Sequence, residues 1–329
     1  MKVLIVYQAL STFVEKDKHI LEGAHQVKSV HFRGFGDILR LWQGTLWCDI
    51  TFSWFGKLHA FFAVLFSKIW GKESVIIAGG DDVTNYVVGG KKYGLFAHPI
   101  KKWFAYFIFK YADLVLPVSK FTLNELFLYA KSDPKKTKLI YHGFDSDLFK
   151  RSPKINRNNV VVTIGDVCWE NFYRKGHRLI IETATFLPYL QFAIIGPWLD
   201  DSVSELKKIS PQNVVFTEGL YDKLLIEYLS QASVYIQASE WESFGCALAE
   251  AMLCECVPVV SRLGAIPEVV GDCGIYLDEL TTSELARKIE EALNRPELGK
   301  MARERIIKLF PLQRRAQELL RAVDEVGVK

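Results

Sequence analysis

Short runs of Val, Ile and Leu, without the polar alternation of a strand that has one wet face, are separated along the chain by longer stretches with apolar residues at helical spacing. Strands of that kind belong in a parallel sheet covered by helices on both sides. In the first half the pattern predicts strands at 2–7, 27–32, 49–53, 74–78, 114–118 and 138–141, with helices over 57–70, 99–111 and 120–129. In the second half it predicts strands at 160–164, 192–195, 214–217, 234–237, 258–261 and 274–277, alternating with helices over 176–186, 222–231, 246–254 and 282–294.

The sequence from 149 to 159 is polar, holds Pro153 and lacks apolar periodicity, so it reads as a linker between two doubly wound α/β units. A chain of 329 residues also exceeds what one hydrophobic core usually supports. The expected domains are 1–150 and 151–310, followed by an amphipathic C-terminal run at 311–329 that either domain could take, a crossing back to the first included. Two such units place a central cleft between the carboxyl ends of two sheets, where open α/β folds bind ligands.

Charge divides unevenly: residues 1–150 carry 20 Lys and Arg against 13 Asp and Glu, and residues 151–329 carry 21 against 25. A basic half suits anionic lipid or a phosphorylated substrate, and equally an ordinary solvated surface; no nucleic-acid partner is expected. The six cysteines have no C-x-x-C spacing and the seven histidines no metal-ligand spacing, so the reading is of structural thiols in a reducing cytosol and no metal. Neither a signal core nor a membrane-spanning apolar run is present, which points to a cytoplasmic protein.

Chemistry concentrates between Ala238 and Asp278. Ser239 to Gly245 form a loop after a strand, and Ser243, Phe244 and Gly245 open a helix whose first amides and positive dipole end can receive an anion such as a pyrophosphate. Glu242 precedes this helix and Glu250 lies about a turn and a half inside it, so the two carboxylates meet different parts of one elongated ligand, holding vicinal hydroxyls of a ribose or hexose. Taken as an isolated pair, they read more readily as a cap and an exposed helix residue.

Their surroundings change that balance. Glu242, Phe244, Gly245, Glu250, Ala251, Pro258, Val259, Val260, Gly264, Ile266, Pro267, Glu268 and Val269 resemble the E-G-F-G-x-x-x-x-E-A … P-V-V … G-G-I-P-E-V-V signature of retaining glycosyltransferases of family 4, the Glu-x(7)-Glu group. The resemblance implies a GT-B fold, two Rossmann-like domains facing a central cleft, and a nucleoside-diphosphate sugar as substrate. It implies that Glu250 holds the nucleotide ribose, that Glu242 lies against the transferred sugar, and that the backbone of Phe244, Gly245, Cys246 and Ala247 meets sugar and phosphate. Ser243, Ala265 and Cys254-Glu255-Cys256 depart from the signature, and serine and alanine fit a tight loop wherever φ stays negative.

The resemblance extends to the loop after Ile164, where Lys175-Gly176 match a K-G that opens a helix, with its cation on the donor diphosphate. The arginine usual at the end of the preceding strand is Asp166 here, so Arg174 is taken as its substitute. A leaving diphosphate develops negative charge that two cations offset without a metal. Gly196-Pro197-Trp198 and Glu218-Gly219-Leu220-Tyr221 follow strands where the family lines its nucleobase; ordinary strand-to-helix turns look the same.

ADLVLPVSKFTLNEL and LIYHGFDSDLF in the first half also resemble family segments, so the likeness spans about Ser74 to Asp278. The glycine-rich loop usual after the first strand is missing from YQALSTFVEKDKH, and Gly79-Gly80-Asp81-Asp82 stand where the family often has a histidine. Gly80, Asp81 and Asp82 are the expected first-domain contacts, with helix capping as an equal alternative for the aspartates. HPIKKWFAYFIFKY mixes lysines with aromatics as interfacial membrane helices do, and as buried helices with snorkelling lysines also do.

The resulting expectation is a metal-independent hexosyltransferase with retained configuration and no cofactor. Its acceptor is a hydroxyl group on a glycan or lipid-linked molecule, and peripheral contact is expected at the inner membrane surface. The alternatives are a degenerate sugar-nucleotide-binding protein and another GT-B enzyme such as an epimerase or phosphorylase. A dinucleotide-dependent oxidoreductase is disfavoured, since no G-x-G-x-x-G follows a predicted strand.

Overall fold

All but one of the predicted apolar runs become strands. The computed structural model describes residues 1–88 and 90–327 and divides into two compact units, one of Met1–Gly143 with the segment from Leu312 onward, the other of Phe144–Pro311.

The first unit holds a sheet of β1 (Lys2–Tyr7), β2 (Gln26–His31), β3 (Ile50–Trp54), β4 (Glu73–Ala78) and, after a hairpin of β5 (Tyr86–Val88) and β6 (Lys91–Tyr93), β7 (Leu114–Pro117). Its order is β2-β1-β3-β4-β7 and every neighbouring pair is parallel. Val3, Ile5, Val75 and Ile77 point to one face, where Val14 and Leu21 of the helix Thr12–Glu22 and Leu319 and Val323 of the helix Leu312–Gly327 cover them. Leu4, Val6, Ile76 and Ala78 point to the other, under the helices Ile38–Trp47, Leu58–Trp70 and Lys101–Tyr111. Burial on both faces explains why alternation is absent from the sequence.

The second unit repeats the plan with β8 (Val160–Ile164), β9 (Gln191–Ile195), β10 (Val214–Thr217), β11 (Ala232–Gln237), β12 (Val257–Ser261) and β13 (Ile275–Leu277). The order is β10-β9-β8-β11-β12-β13, again parallel throughout. The strand order reverses between β8 and β11, which makes the crevice beyond their carboxyl ends the switch point of the sheet.

Three sequence expectations change. Residues 138–141 form no strand: the main chain of Lys138 and Ile140 donates to Val115 and Pro117 at 3.0 and 3.1 Å, too few bonds for a ladder at the end of a short edge strand. The helix expected over 120–129 is α-helical over Lys120–Glu125 and continues as a π-helical turn at Leu126–Ala130, closed by Lys131 at φ 52°. Residues 149–159 are no free linker. Ser152 N–H donates to Ser230 Oγ at 3.1 Å, Arg157 donates to the carbonyls of Cys254 and Glu255, and Arg303 donates to the carbonyls of Ser146 and Phe149 at 2.8 and 2.7 Å. Basic side chains there satisfy main-chain carbonyls, so polarity marks anchorage to the second unit. The units accordingly meet in sequence at Gly143/Phe144 and Pro311/Leu312, and Phe144 N–H donates to the carbonyl of Phe310 at 2.9 Å.

Among the described residues no helix is long and apolar enough to cross a membrane. All six cysteines are free thiols, and burial pushes those of Cys48 and Cys256 up to about 12, leaving them unreactive.

Candidate functional site

In the second unit, the loops after β8 and β11 flank the switch point and are pinned to each other and to the loop after β12. Glu240 N–H donates to the Arg174 carbonyl at 2.8 Å, and Ala265 N–H donates to the Glu242 carbonyl at 2.9 Å. Two glycines permit this closeness. A Cβ on Gly176 (φ 71°) would lie 2.6 Å from the Ala238 carbonyl oxygen, and one on Gly264 (φ 62°) only 2.3 Å from that of Glu242. Both also hold the left-handed conformation that favours glycine.

Glu242 is therefore fixed at its backbone, and its side chain is fixed as well. It is buried, with Oε2 3.0 Å from the Gln237 amide nitrogen and 3.5 Å from Lys175 Nζ. Lys175 reaches it by lying over Gly165, where a Cβ would sit 2.5 Å from Cδ of the lysine. Gln237 is held in turn: its Oε1 accepts the Tyr235 hydroxyl at 2.9 Å, and its Nε2 also donates to Ser239 Oγ at 2.7 Å. Burial, then the charge of Glu242, pushes the Tyr235 phenol well above its usual range, with Glu250 adding to it. Tyr235 thus senses both carboxylates of the signature while remaining a neutral donor.

Gly245 turns the chain into the helix Cys246–Leu253 at φ 92°. Phe244 sends its ring into the core against Phe144 and Phe310, at centroid distances of 5.7 and 5.3 Å, so only its backbone faces the loop. Cys246 and Ala247 form the first turn, and Glu250 follows half-buried on the same helix.

Arg174, taken in the sequence as the substitute for the missing diphosphate cation, is tied to its own loops. Its guanidinium donates to Asn171 Oδ1 at 2.6 Å and approaches the Trp241 carbonyl at 3.5 Å, with Glu170 3.4 Å away, and only 11% of the side chain is exposed. Residues 169–174 are helical, and this helix turns the guanidinium back onto the Glu242 loop. Asp166 is exposed, and its carbonyl accepts the Asn171 amide at 2.7 Å.

Next to Lys175, His177 is fully buried, with neither ring nitrogen hydrogen-bonded among the described residues. Burial and then the charges of Lys175 and Arg174 bring its pKa down to about 3, so it is a neutral packing group.

Gly196 and Gly219 with Leu220 follow the adjacent strands β9 and β10 on the same rim. A Cβ on Gly196 would meet the Gly165 carbonyl at 2.1 Å, and one on Gly219 the Tyr221 hydroxyl at 2.7 Å. Trp198 lies beneath Lys207 Nζ at 3.9 Å, and Tyr221 is exposed. Gln237, Tyr235 and Ser239 are absent from the sequence-derived set; a lone polar residue ending an apolar strand is the signal that points to Gln237.

In the first unit, Gly80, Asp81 and Asp82 follow β4 beside Phe55-Gly56-Lys57, which follow β3. Asp82 is fully buried and accepts the amides of Gly56 and Gly80 at 2.7 and 2.8 Å, bracing one loop against the other rather than facing a ligand. Burial, then Asp81, pushes its pKa up to about 6. Asp81 is the accessible carboxylate, 2.6 Å from Lys57 Nζ.

Residues 145–309 match the family described as glycosyl transferases group 1, and the chain belongs to that family. Of similar proteins, the N-acetylgalactosamine-N,N'-diacetylbacillosaminyl-diphospho-undecaprenol 4-alpha-N-acetylgalactosaminyltransferase of Campylobacter jejuni is 24% identical over 53% of this chain and 48% of its own length. The O-antigen chain mannosyltransferase B of Escherichia coli is 26% identical over 55% of this chain and 52% of its own. The chain thus spans about half the length of these relatives. The crystal structure of Anabaena Alr3699/HepE in complex with UDP and glucose superposes with a TM-score of 0.80 at 18% identity, covering 98% of this chain and 99% of that one. The fold is GT-B, with two Rossmann-like domains.

Proposed function

We propose that the protein transfers a hexose from a nucleoside-diphosphate sugar to a hydroxyl acceptor with retention of configuration, as in glycosyltransferase family 4, and without a metal. The observation that carries this reading is the fixed Glu242 carboxylate, held between Gln237 and Lys175 at the switch point of the second sheet.

In this reading Glu242 orients the transferred sugar and Glu250 the ribose. The backbone of Phe244 and Gly245 and the first-turn amides of Cys246 and Ala247 receive sugar and phosphate. Lys175 offsets charge on the departing diphosphate, with Arg174 supporting it from the loop behind. Gly196, Gly219 and Leu220 line the base, and in the first domain Gly80 and Asp81 serve a sugar hydroxyl or the acceptor, on a loop that Asp82 holds. Removing a preorganised charge-stabilising group typically costs ~2.7–4 kcal/mol of barrier. A lipid-linked acceptor fits the relative named for a diphospho-undecaprenol substrate, and it puts the work at the cytoplasmic face of the inner membrane.

The test is donor hydrolysis and transfer with UDP-, GDP- and ADP-sugars, after the binding nucleotide is found by thermal shift. Glu242→Ala with Glu250→Ala abolishes both activities; retention of either at the wild-type rate refutes the assignment. Asp166, standing where the family has arginine, favours a second reading as a sugar-nucleotide-binding protein without turnover. Tight donor binding with no product across an acceptor panel would establish it.

A further inference from the structure

The outer layer of the first unit is unusual in what it exposes. The helices Ile38–Trp47, Leu58–Trp70 and Lys101–Tyr111 carry five Lys or Arg and no Asp or Glu; Arg40 and Lys68 pair with Asp37 and Asp113 just outside them, which leaves the three lysines of Lys101–Tyr111. Ordinary soluble surfaces mix both signs.

On the helix Lys101–Tyr111, Ala105, Ile108 and Phe109 are buried against the sheet. Ile100, Trp103, Phe104, Phe107 and Tyr111 lie at helical spacing on the opposite face, with Ile100 75% and Trp103 69% exposed. This second apolar face has no counterpart in a helix that merely covers a core, where the outward side is polar.

The apolar surface continues across the layer. Phe107 and Phe104 contact Phe61 at 4.9 and 5.1 Å, Phe61 contacts Phe62 at 5.4 Å, and Phe62 contacts Phe35 at 6.3 Å. Phe35 is 71% exposed, with Leu39 exposed beside it in sequence. Lys101 and Lys110 are exposed and Lys102 half-buried, with no acidic partner among the described residues.

We propose that this face docks on an anionic phospholipid bilayer, with Ile100, Trp103 and Phe35 entering the headgroup–acyl boundary and the lysines meeting lipid phosphates. Exposed apolar patches rimmed by polar groups mark interaction sites, and aromatic side chains interleaved with Lys suit the bilayer interface. Charge selects the occupant: Arg40 and Lys68 are paired with Asp37 and Asp113, but a second copy applied face to face would set Lys101, Lys102 and Lys110 against their own equivalents, whereas an anionic membrane supplies the opposite sign. The proposal is compatible with a lipid-linked acceptor, but it stands on the exposed residues alone.

Sedimentation of the full chain with vesicles tests it without any sugar donor, so its failure is separate from failure of the proposed transfer. The protein binds vesicles of phosphatidylcholine mixed with phosphatidylglycerol, weakly binds phosphatidylcholine alone, and dissociates as salt rises. Ile100→Glu with Trp103→Glu lowers partitioning at least ~10-fold, and Lys101→Gln, Lys102→Gln and Lys110→Gln each lower it about fivefold. Phe186→Glu, an exposed position in the second unit, leaves it unchanged. All these side chains are solvent-facing or partly so, and unchanged circular dichroism and melting verify folding. Equal binding to both vesicle types, wild-type binding by the double variant, or a dimer in light scattering that the double variant dissolves would overturn the proposal.

Discussion

Oε2 of Glu242 receives the Gln237 amide at 3.0 Å and lies 3.5 Å from Lys175 Nζ, so one carboxylate oxygen is shared by a neutral donor and a cation. The neutral donor sets direction and the cation sets charge. Gln237 is itself oriented by Tyr235, which makes a buried chain of three side chains ending at the proposed sugar contact.

Replacing Gln237 with Leu keeps the volume but removes the donor. Hydrogen bonds to charged groups contribute about 1.5–3 kcal/mol, so kcat for donor turnover falls roughly 10- to 100-fold. Stopped-time assays of nucleotide release measure this. A drop confined to KM would mean that Gln237 serves binding alone.

Gly264→Ala puts a methyl group 2.3 Å from the Glu242 carbonyl oxygen, at a φ of 62°. The left-handed conformation alone costs about 1–2 kcal/mol, and the contact adds to it. The expected result is a melting temperature lowered by several degrees and loss of donor turnover, since Glu242 moves with its loop. Differential scanning fluorimetry and the same nucleotide assay report the two effects.

Asp17 and Arg315 form a bidentate buried pair at 2.6 Å for both bonds, and Arg315 also donates to the Tyr141 carbonyl at 2.7 Å. Asp17→Ala leaves that guanidinium buried without its counter-ion and destabilises the first unit by about 3–5 kcal/mol. The double replacement Asp17→Leu with Arg315→Met recovers most of the loss, because it removes both desolvated charges together. Urea unfolding distinguishes the variants.

His177 is buried and neutral, with a folded pKa of about 3 against an ordinary 6.5. Between those values the unfolded chain takes a proton that the folded chain refuses. Stability is therefore lost as pH falls from about 6.5 toward 3, by up to ~1.4 kcal/mol per pH unit from this group. His177→Leu flattens the dependence, and urea midpoints at pH 7 and pH 5 for both proteins measure the difference. His59, brought by burial to about 4, acts in the same direction, and Asp82 in the reverse, so the slope change on substitution is the informative quantity.

Most strands were legible because both of their faces are buried, which leaves nearly uninterrupted Val and Ile runs; the edge strand β2, QVKSVH, is largely exposed and alternates. The signature from Glu242 to Val269 was legible because its glycines and carboxylates keep a fixed spacing. Residues 149–159 misled because Arg151 and Arg157 look solvated in sequence, whereas Arg157 in fact serves carbonyls of a distant loop. The inward turn of Arg174 was not legible either, because the helix Trp169–Arg174 that sets it depends on tertiary contacts such as Trp169 to Asp201 at 2.8 Å. Helices Glu297–Leu309 and Ser202–Ile209 were missed because charged residues dilute their apolar stripe.

The first unit is discontinuous in sequence. Its sheet is complete by Pro117, yet the helix that shares one face of that sheet with Thr12–Glu22 and supplies the ionic partner of Asp17 begins only at Leu312. During translation the nascent strands must wait, partly uncovered, while the whole of Phe144–Pro311 emerges from the ribosome and folds as an uninterrupted stretch. The segment made second has every contact of its own available first, and the oldest part of the chain is the last to be sealed.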